Sequence, residues 1–270
     1  MNRIITISAL FILVAFNCIE TYSQEKEKES SLDIYAGLDL MNRFIWRGMD
    51  IGGRSPSIQP YMGIMIKNFE LGVWGAYSVG GNNSNQEIDI YAAYHFGKGL
   101  FSLMLTDYYS ASDIFDYNYF DYNKETTGHF YEASLKFNGN NKIPVSFLAA
   151  MNFYGADALK INNDPTSEDF NQSVGIQYSN YFEFGYTKDI KQFTLNAFLG
   201  FTLNNPIKAD TESGYIGEIG FYGQSPGVIH TGISLSKDIP VTEKFSLPLT
   251  SSIITNPQTE KVFFLVGFSF

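Results

Sequence analysis

Arg43 and Arg47 follow Asp33 and Asp39 near the start of the patterned part of the chain. Guanidinium groups facing carboxylates across a polar channel make a transverse field that orients and selects solutes. The same groups can instead pair and fill a narrow interior. His95, His129 and His230 are scattered. A lipid-hydrolysing barrel needs a serine nucleophile, a histidine base and a polar orienter. His230 is followed by Thr231 and Gly232 rather than by a His-x-Ser pattern, and no triad is legible, so no catalysis is expected. Three dispersed histidines are also a poor metal site, and no cofactor is expected. Between Tyr108 and Tyr122, Tyr117, Tyr119 and Phe120 alternate with Asp113, Asp116 and Asp121. Such a loop could hold a sugar, a cation or calcium. It lacks EF-hand spacing, and its plain reading is a surface loop folded over a mouth. Asn162 to Asp169 carries the same ambiguity.

The elements that position these residues lie behind an export signal. Arg3 precedes an apolar run, Ile4 to Phe16, too short to span a bilayer as a helix. Thr21 and Ser23 stand at −3 and −1 of a signal-peptidase site, so the mature chain is expected to start at Gln24. Cys18 is the single cysteine. It could be a lipidated N-terminus, but Ala15-Phe16-Asn17 is too bulky a lead-in. The mature chain therefore has no disulfide or thiol chemistry. Residues 1–23 are assigned to the signal, 24–31 to a flexible periplasmic tail and 32–270 to one domain. Net charge is −10 with no basic patch, which excludes nucleic acid as a partner.

From Leu32 onward apolar and polar residues alternate in short runs, the period of β-strands. Leu32, Ile34, Ala36, Leu38 and Leu40 share one face, Asp33, Tyr35, Gly37 and Asp39 the other. Continued, that register points Phe44 and Trp46 outward and Arg43 and Arg47 inward. An eighth run sets Val174, Ile176, Tyr178, Phe182, Phe184 and Tyr186 on one face, opposite Tyr181 and Glu183. A tenth sets Ile229, Ile233 and Leu235 against His230. The longest connection, Leu203 to Pro226, contains no clear element.

About twelve strands result, an even number, with short and long connections in alternation, as in a closed antiparallel transmembrane barrel with short periplasmic turns and long extracellular loops. The apolar set carries much of the tyrosine and phenylalanine (18 and 24 residues) and almost no charge. The polar set holds Asp33, Asp39, Arg43, Arg47, Gln59, Glu70, Glu87, Asp89, Glu132, Lys136 and Glu183. A soluble sandwich would show the same alternation, but it explains neither the export signal, the aromatic load nor the loop asymmetry.

Asn42-Arg43-Phe44-Ile45-Trp46-Arg47-Gly48, followed by Ser55-Pro56-Ser57-Ile58-Gln59-Pro60, resembles the start of the TorF-type porins, a family of conserved outer-membrane β-barrel proteins. The motif residues are Trp46, Arg47, Gly48, Ser55, Pro56 and Gln59. Ser179 to Tyr186 and Asn256-Pro257-Gln258 are also similar to family segments. The last residues are similar to the signal read by the barrel-assembly machinery, with Phe268 and Phe270 in its apolar positions and Leu265 where that signal usually has glycine. The resemblance implies an outer-membrane channel in contact with lipid and with the assembly machinery, and supplies no solute. The expectation is a porin or solute channel for passive passage of small solutes, with a charged lumen biasing selectivity. The alternative is a plugged structural or surface-binding barrel, and an outer-membrane lipid hydrolase ranks last.

Overall fold

The structure is a computed structural model that describes residues 32–80, 85–112 and 118–270. The signal, the tail 24–31, and Asp113, Asp116 and Tyr117 lie outside the described residues.

The strands are β1 (Leu32–Met41), β2 (Ile45–Trp46), β3 (Met49–Asp50), β4 (Ser57–Ile66), β5 (Phe69–Ser78), β6 (Asn85–Phe96), β7 (Phe101–Ser112), β8 (His129–Phe137), β9 (Val145–Gly155), β10 (Leu159–Ile161), β11 (Ser173–Ile176), β12 (Asn180–Ile190), β13 (Phe193–Thr202), β14 (Gly227–Pro240), β15 (Ser246–Asn256) and β16 (Lys261–Ser269). Twelve of them close into a barrel in the order β1-β16-β15-β14-β13-β12-β9-β8-β7-β6-β5-β4; β2–β3 and β10–β11 form separate two-stranded pieces. Every barrel junction is antiparallel, and closure joins Asp39, Leu40 and Met41 to Ser269, Phe268 and Gly267. The barrel strands are 9 to 14 residues long, matching the roughly 9–11 residues that cross a bilayer's hydrocarbon. Lys67 and Lys191 take positive φ in two tight turns, as does Lys98 flanked by Gly97 and Gly99 in a third.

The period-2 reading holds along the strands. Outward residues such as Ile34 (71 % exposed), Met62, Leu105, Ile253 and Val262 (70 %) lie open, while Gln59, Asp89, Glu132 and Asn152 on alternate positions are buried. Between the open aliphatic residues and the short turns runs an outer file of rings. Phe96 stacks on Phe101 at 5.3 Å, Phe101 meets Phe137 at 5.4 Å, and Phe147 meets Phe184 at 4.9 Å. Near the long loops, Tyr131 packs on Tyr154 at 5.5 Å. Aromatic girdles above and below an apolar band are the surface expected where a barrel meets two lipid interfaces.

Three readings of the alternation are corrected. Phe44 and Trp46 do not continue the outer face, because β1 ends at Met41. Asn42 turns the chain inward there, donating its side-chain amide to the Phe264 carbonyl and accepting the Val266 amide. Residues 42–56 then form a hairpin inside the barrel, around β2 and β3. The eighth strand starts at Asn180. Val174 and Ile176 belong to β11, paired with β10 outside the barrel sheet, and Tyr178, at φ 52°, breaks the extended chain between them. Ile229 faces inward, fully buried. Gly200 pairs with His230 but Phe201 with Val228, so a bulge at Ile229 puts it on the same side as His230.

Candidate functional site

The inward hairpin organises the upper lumen, the half nearer the long loops. Arg47 occupies the turn between β2 and β3 at φ 49°, and Gly48 follows at φ 77°. Glycine is required at Gly48, since a Cβ there would lie 2.1 Å from the Ile229 carbonyl oxygen. Asn256 on β15 donates its amide to the Gly48 carbonyl at 3.1 Å, and Ser78 on β5 donates to the Gly52 carbonyl at 3.2 Å. The hairpin is therefore tied to two separate strands of the wall.

The strongest tie is Arg47. Both of its terminal nitrogens donate to the carboxylate of Glu132 on β8, Nη2 to Oε1 at 2.8 Å. Nη1 also donates to the Tyr222 hydroxyl. The guanidinium lies 4.5 Å from the Trp46 ring centroid and 4.4 Å from that of Tyr181. Arg47 retains 9 % of its side-chain exposure and Glu132 2 %. A bidentate pair enclosed by aromatic faces is the geometry in which arginine binds a carboxylate most strongly. Trp46 continues the cluster, packing on Tyr108 at 5.4 Å and Tyr222 at 6.0 Å. Ala150, Tyr181, Tyr222 and Ile229 are its buried centre.

Beside this cluster Glu183 accepts from Tyr181 and lies 3.0 Å from His230 Nδ1. Arg43 pairs with Asp50 inside the hairpin and lies 5.2 Å from the Phe263 ring centroid. Glu87 accepts from Ser110 at 3.3 Å, and buried Asp89 has one carboxylate oxygen without a partner among the described residues.

The structure thus gathers Trp46, Arg47, Gly48, Glu132 and Glu183 in the upper lumen, with Arg43 in the same hairpin. The remaining expected residues are spread along the walls. Asp33 is exposed near the start of β1, Lys136 is exposed near the short-turn end of β8, and Asp39 pairs across to Gln59. Gln59 is buried and donates to Ser57. Ser55 donates to the Gly80 carbonyl at the loop rim, where the Pro56 carbonyl accepts the Val79 amide. Phe268 and Phe270 stand on the outer face at the closing seam.

Glu70 lies in the lower lumen. It accepts from Tyr35 and Tyr91, and its second oxygen is 2.8 Å from His95 Nε2. His95 Nδ1 is in turn 2.9 Å from Ser102 Oγ. Glu70, His95 and Ser102 therefore stand in line, an order that sequence spacing concealed because His95 and Ser102 meet as a cross-strand pair. Ser102 is buried, and its oxygen also accepts the Asn138 amide at 2.8 Å. Elsewhere the wall carries two rows of small polar groups. Thr187, Asn196, Ser234 and Ser252 pair across β12 to β15, and Thr194, Ser236 and Thr250 pair below them.

Sequence reasoning missed Tyr222 and Phe221. They come from the patternless connection 203–226, which folds back onto the hairpin. Tyr35 and Tyr91 had a signal: each faces an inward glycine, Gly63 or Gly72, on the neighbouring strand.

The acidic loops use their carboxylates locally. Asp121 accepts from the Asn123 amide and Thr126, Asp164 from the Thr166 amide and hydroxyl, and Asp210 from the Glu212 amide and Ser213. These hydrogen bonds hold all three below the ordinary aspartate range. Among the described residues no group of three or more His, Cys, Asp or Glu could hold a metal.

No family model matches the chain, and no curated protein does. Among solved structures it is similar to a KdgM porin at 8 % identity and a TM-score of 0.43, over 87 % of this chain and 98 % of that chain.

Proposed function

We propose that the chain is an outer-membrane porin of the TorF type, exported by residues 1–23, whose passage for small solutes is the cross-section left by the hairpin 42–56. The continuous belt of open aliphatic and aromatic side chains supports the membrane setting. A surface of that extent would drive association in water and is matched to lipid in a barrel. Selectivity then resides at the hairpin and the acidic wall beside it rather than in a ring of free charges.

The observation that carries this reading is the closed ring of twelve strands with an open apolar outer face and polar side chains on its inner face. The enclosure of Arg47 between Glu132 and three rings favours a second reading, in which the lumen is shut and the long loops are the working surface. Planar-bilayer recordings separate the two. The pore reading expects small, discrete steps from the intact chain and larger ones once residues 43–53 are replaced by a short Gly/Ser link. Conductance from the hairpin-less chain alone supports the shut barrel. Silence from both, in folded samples, overturns the pore reading.

A further inference from the structure

The lower lumen does not hold the hairpin, yet its wall is built with as much care. On β1, Tyr35 lies across Gly63 of β4, and on β6, Tyr91 lies across Gly72 of β5. A Cβ at Gly63 would sit 2.5 Å from Tyr35 Cζ, and one at Gly72 would sit 2.3 Å from Tyr91 Cζ. Tyr61 covers Gly37 in the same way, with 2.2 Å to its Cζ. A ring that leaves no room for a methyl group beneath it lies flat on the wall, so its second face looks into the lumen. The Tyr35 and Tyr91 hydroxyls meet at 2.7 Å, and both donate to Glu70, which His95 holds from the other side. The two rings are therefore pinned end to end as a platform spanning four strands. Both Glu70 oxygens are engaged, so the platform offers ring faces rather than a free charge. Further round the ring, Asn196, Ser234 and Ser252 pair across β13, β14 and β15 as a row of uncharged polar side chains, with Asn196 Oδ1 accepting from Thr187.

We propose that this platform binds a neutral saccharide. The C–H face of a pyranose carries partial positive charge and is attracted to the negative face of an aromatic ring. Its hydroxyl edge needs uncharged hydrogen-bonding groups of the kind that row supplies. Rings already fixed in place lose little freedom on binding. The inference deepens the pore reading by naming a solute class and rests on it for the solute's route. Binding itself can be read without conductance, because a detergent-solubilised barrel exposes both mouths.

The test is saturation-transfer NMR on the refolded full chain, with maltotriose and cellotriose as neutral probes and choline and trigalacturonate as charged ones. Transfer is expected to the C–H protons of at least one neutral trisaccharide and to exceed that to either charged probe. Two rings at about 0.5–1.5 kcal/mol each correspond to roughly 5- to 150-fold weaker binding in Tyr35→Leu/Tyr91→Leu, whereas Tyr91→Phe loses one hydroxyl of the pin but keeps its ring seated on Gly72 and retains its signal. If the leucine pair does not fold, Ser234→Val in the polar row is expected to weaken the same signal. No transfer from either trisaccharide, stronger transfer to a charged probe, or an unchanged signal in the folded leucine pair overturns the proposal. Bilayer silence with intact transfer overturns the pore reading alone.

Discussion

Removing the Glu132 carboxylate while leaving Arg47 in place should be among the most damaging single changes to this protein. In Glu132→Ala the guanidinium stays nine-tenths buried, with the Tyr222 hydroxyl and the surrounding rings as its company. Breaking a buried pair from one side costs about 3–5 kcal/mol, because the remaining charge is stranded. The cation–π contacts to Trp46 and Tyr181 are present before and after the change and cancel, so the expected loss stays at about 3–5 kcal/mol. Replacing both partners, Arg47→Met with Glu132→Leu, removes the charge together with its need for a carboxylate and should recover most of that loss. The assay is reversible urea unfolding of the barrel in phospholipid vesicles, followed by tryptophan fluorescence. Both tryptophans report on the hairpin: Trp46 is part of it, and Trp74 packs on Phe44 at 5.2 Å. A loss under about 1 kcal/mol in Glu132→Ala, or strictly additive single and double variants, would refute the latch.

Other outcomes follow from the same geometry. Trp46→Ala removes the ring that packs on Tyr108 and Tyr222 against the buried centre of the upper cluster and should cost about 3 kcal/mol in the same assay. Gly72→Ala places a methyl group 2.3 Å from Tyr91 Cζ and should cost about 1–3 kcal/mol; adding Tyr91→Ala to that variant should remove the overpacking part of the loss. Asp121, Asp164 and Asp210 have folded values below their unfolded ones, so their loop contributions are complete above about pH 4 and fade as pH falls through the depressed values. Hydrogen exchange at the Asn123, Thr166 and Glu212 amides, corrected for intrinsic rate, should keep its protection above about pH 4 and lose it over the interval below. Protection that stays constant over that interval would rule out carboxylate acceptors as its source.

Strand positions were legible because outward-facing and lumen-facing residues alternate with period two wherever the chain stays in the sheet. The twelve-strand closed barrel and its alternation of short and long connections match the expectation. Legibility ended where the chain left the sheet without losing its pattern. Phe44 and Trp46 sit at even spacing after Leu40, so periodicity extended the outer face through them; only Asn42 bonding across to β16 shows that the chain turns inward. Ile229 failed for a different reason, since one inserted residue reverses the face of everything on one side of it. Tyr178 likewise hides a break within an apolar alternation. Arg47 was legible as an inward charge, but its partner was not, because Glu132 lies far along the chain and nothing local couples the two. The pairing of Glu70 with His95 was similarly concealed by its dependence on cross-strand register.

The seam between β1 and β16 has a consequence for how the molecule is made. β1 pairs with β4 along Leu32–Met41, but with β16 through Asp39–Met41 and the Leu38–Phe270 backbone bonds. This junction joins the first and last strands of the barrel, so its entropy of closure is the largest in the fold unless the intervening strands already hold them together. The ring can therefore be zipped only after the other junctions exist, and until then both border strands are live templates for any extended polypeptide nearby. A nascent chain truncated before β16 should persist as an open, sticky sheet rather than as a smaller barrel.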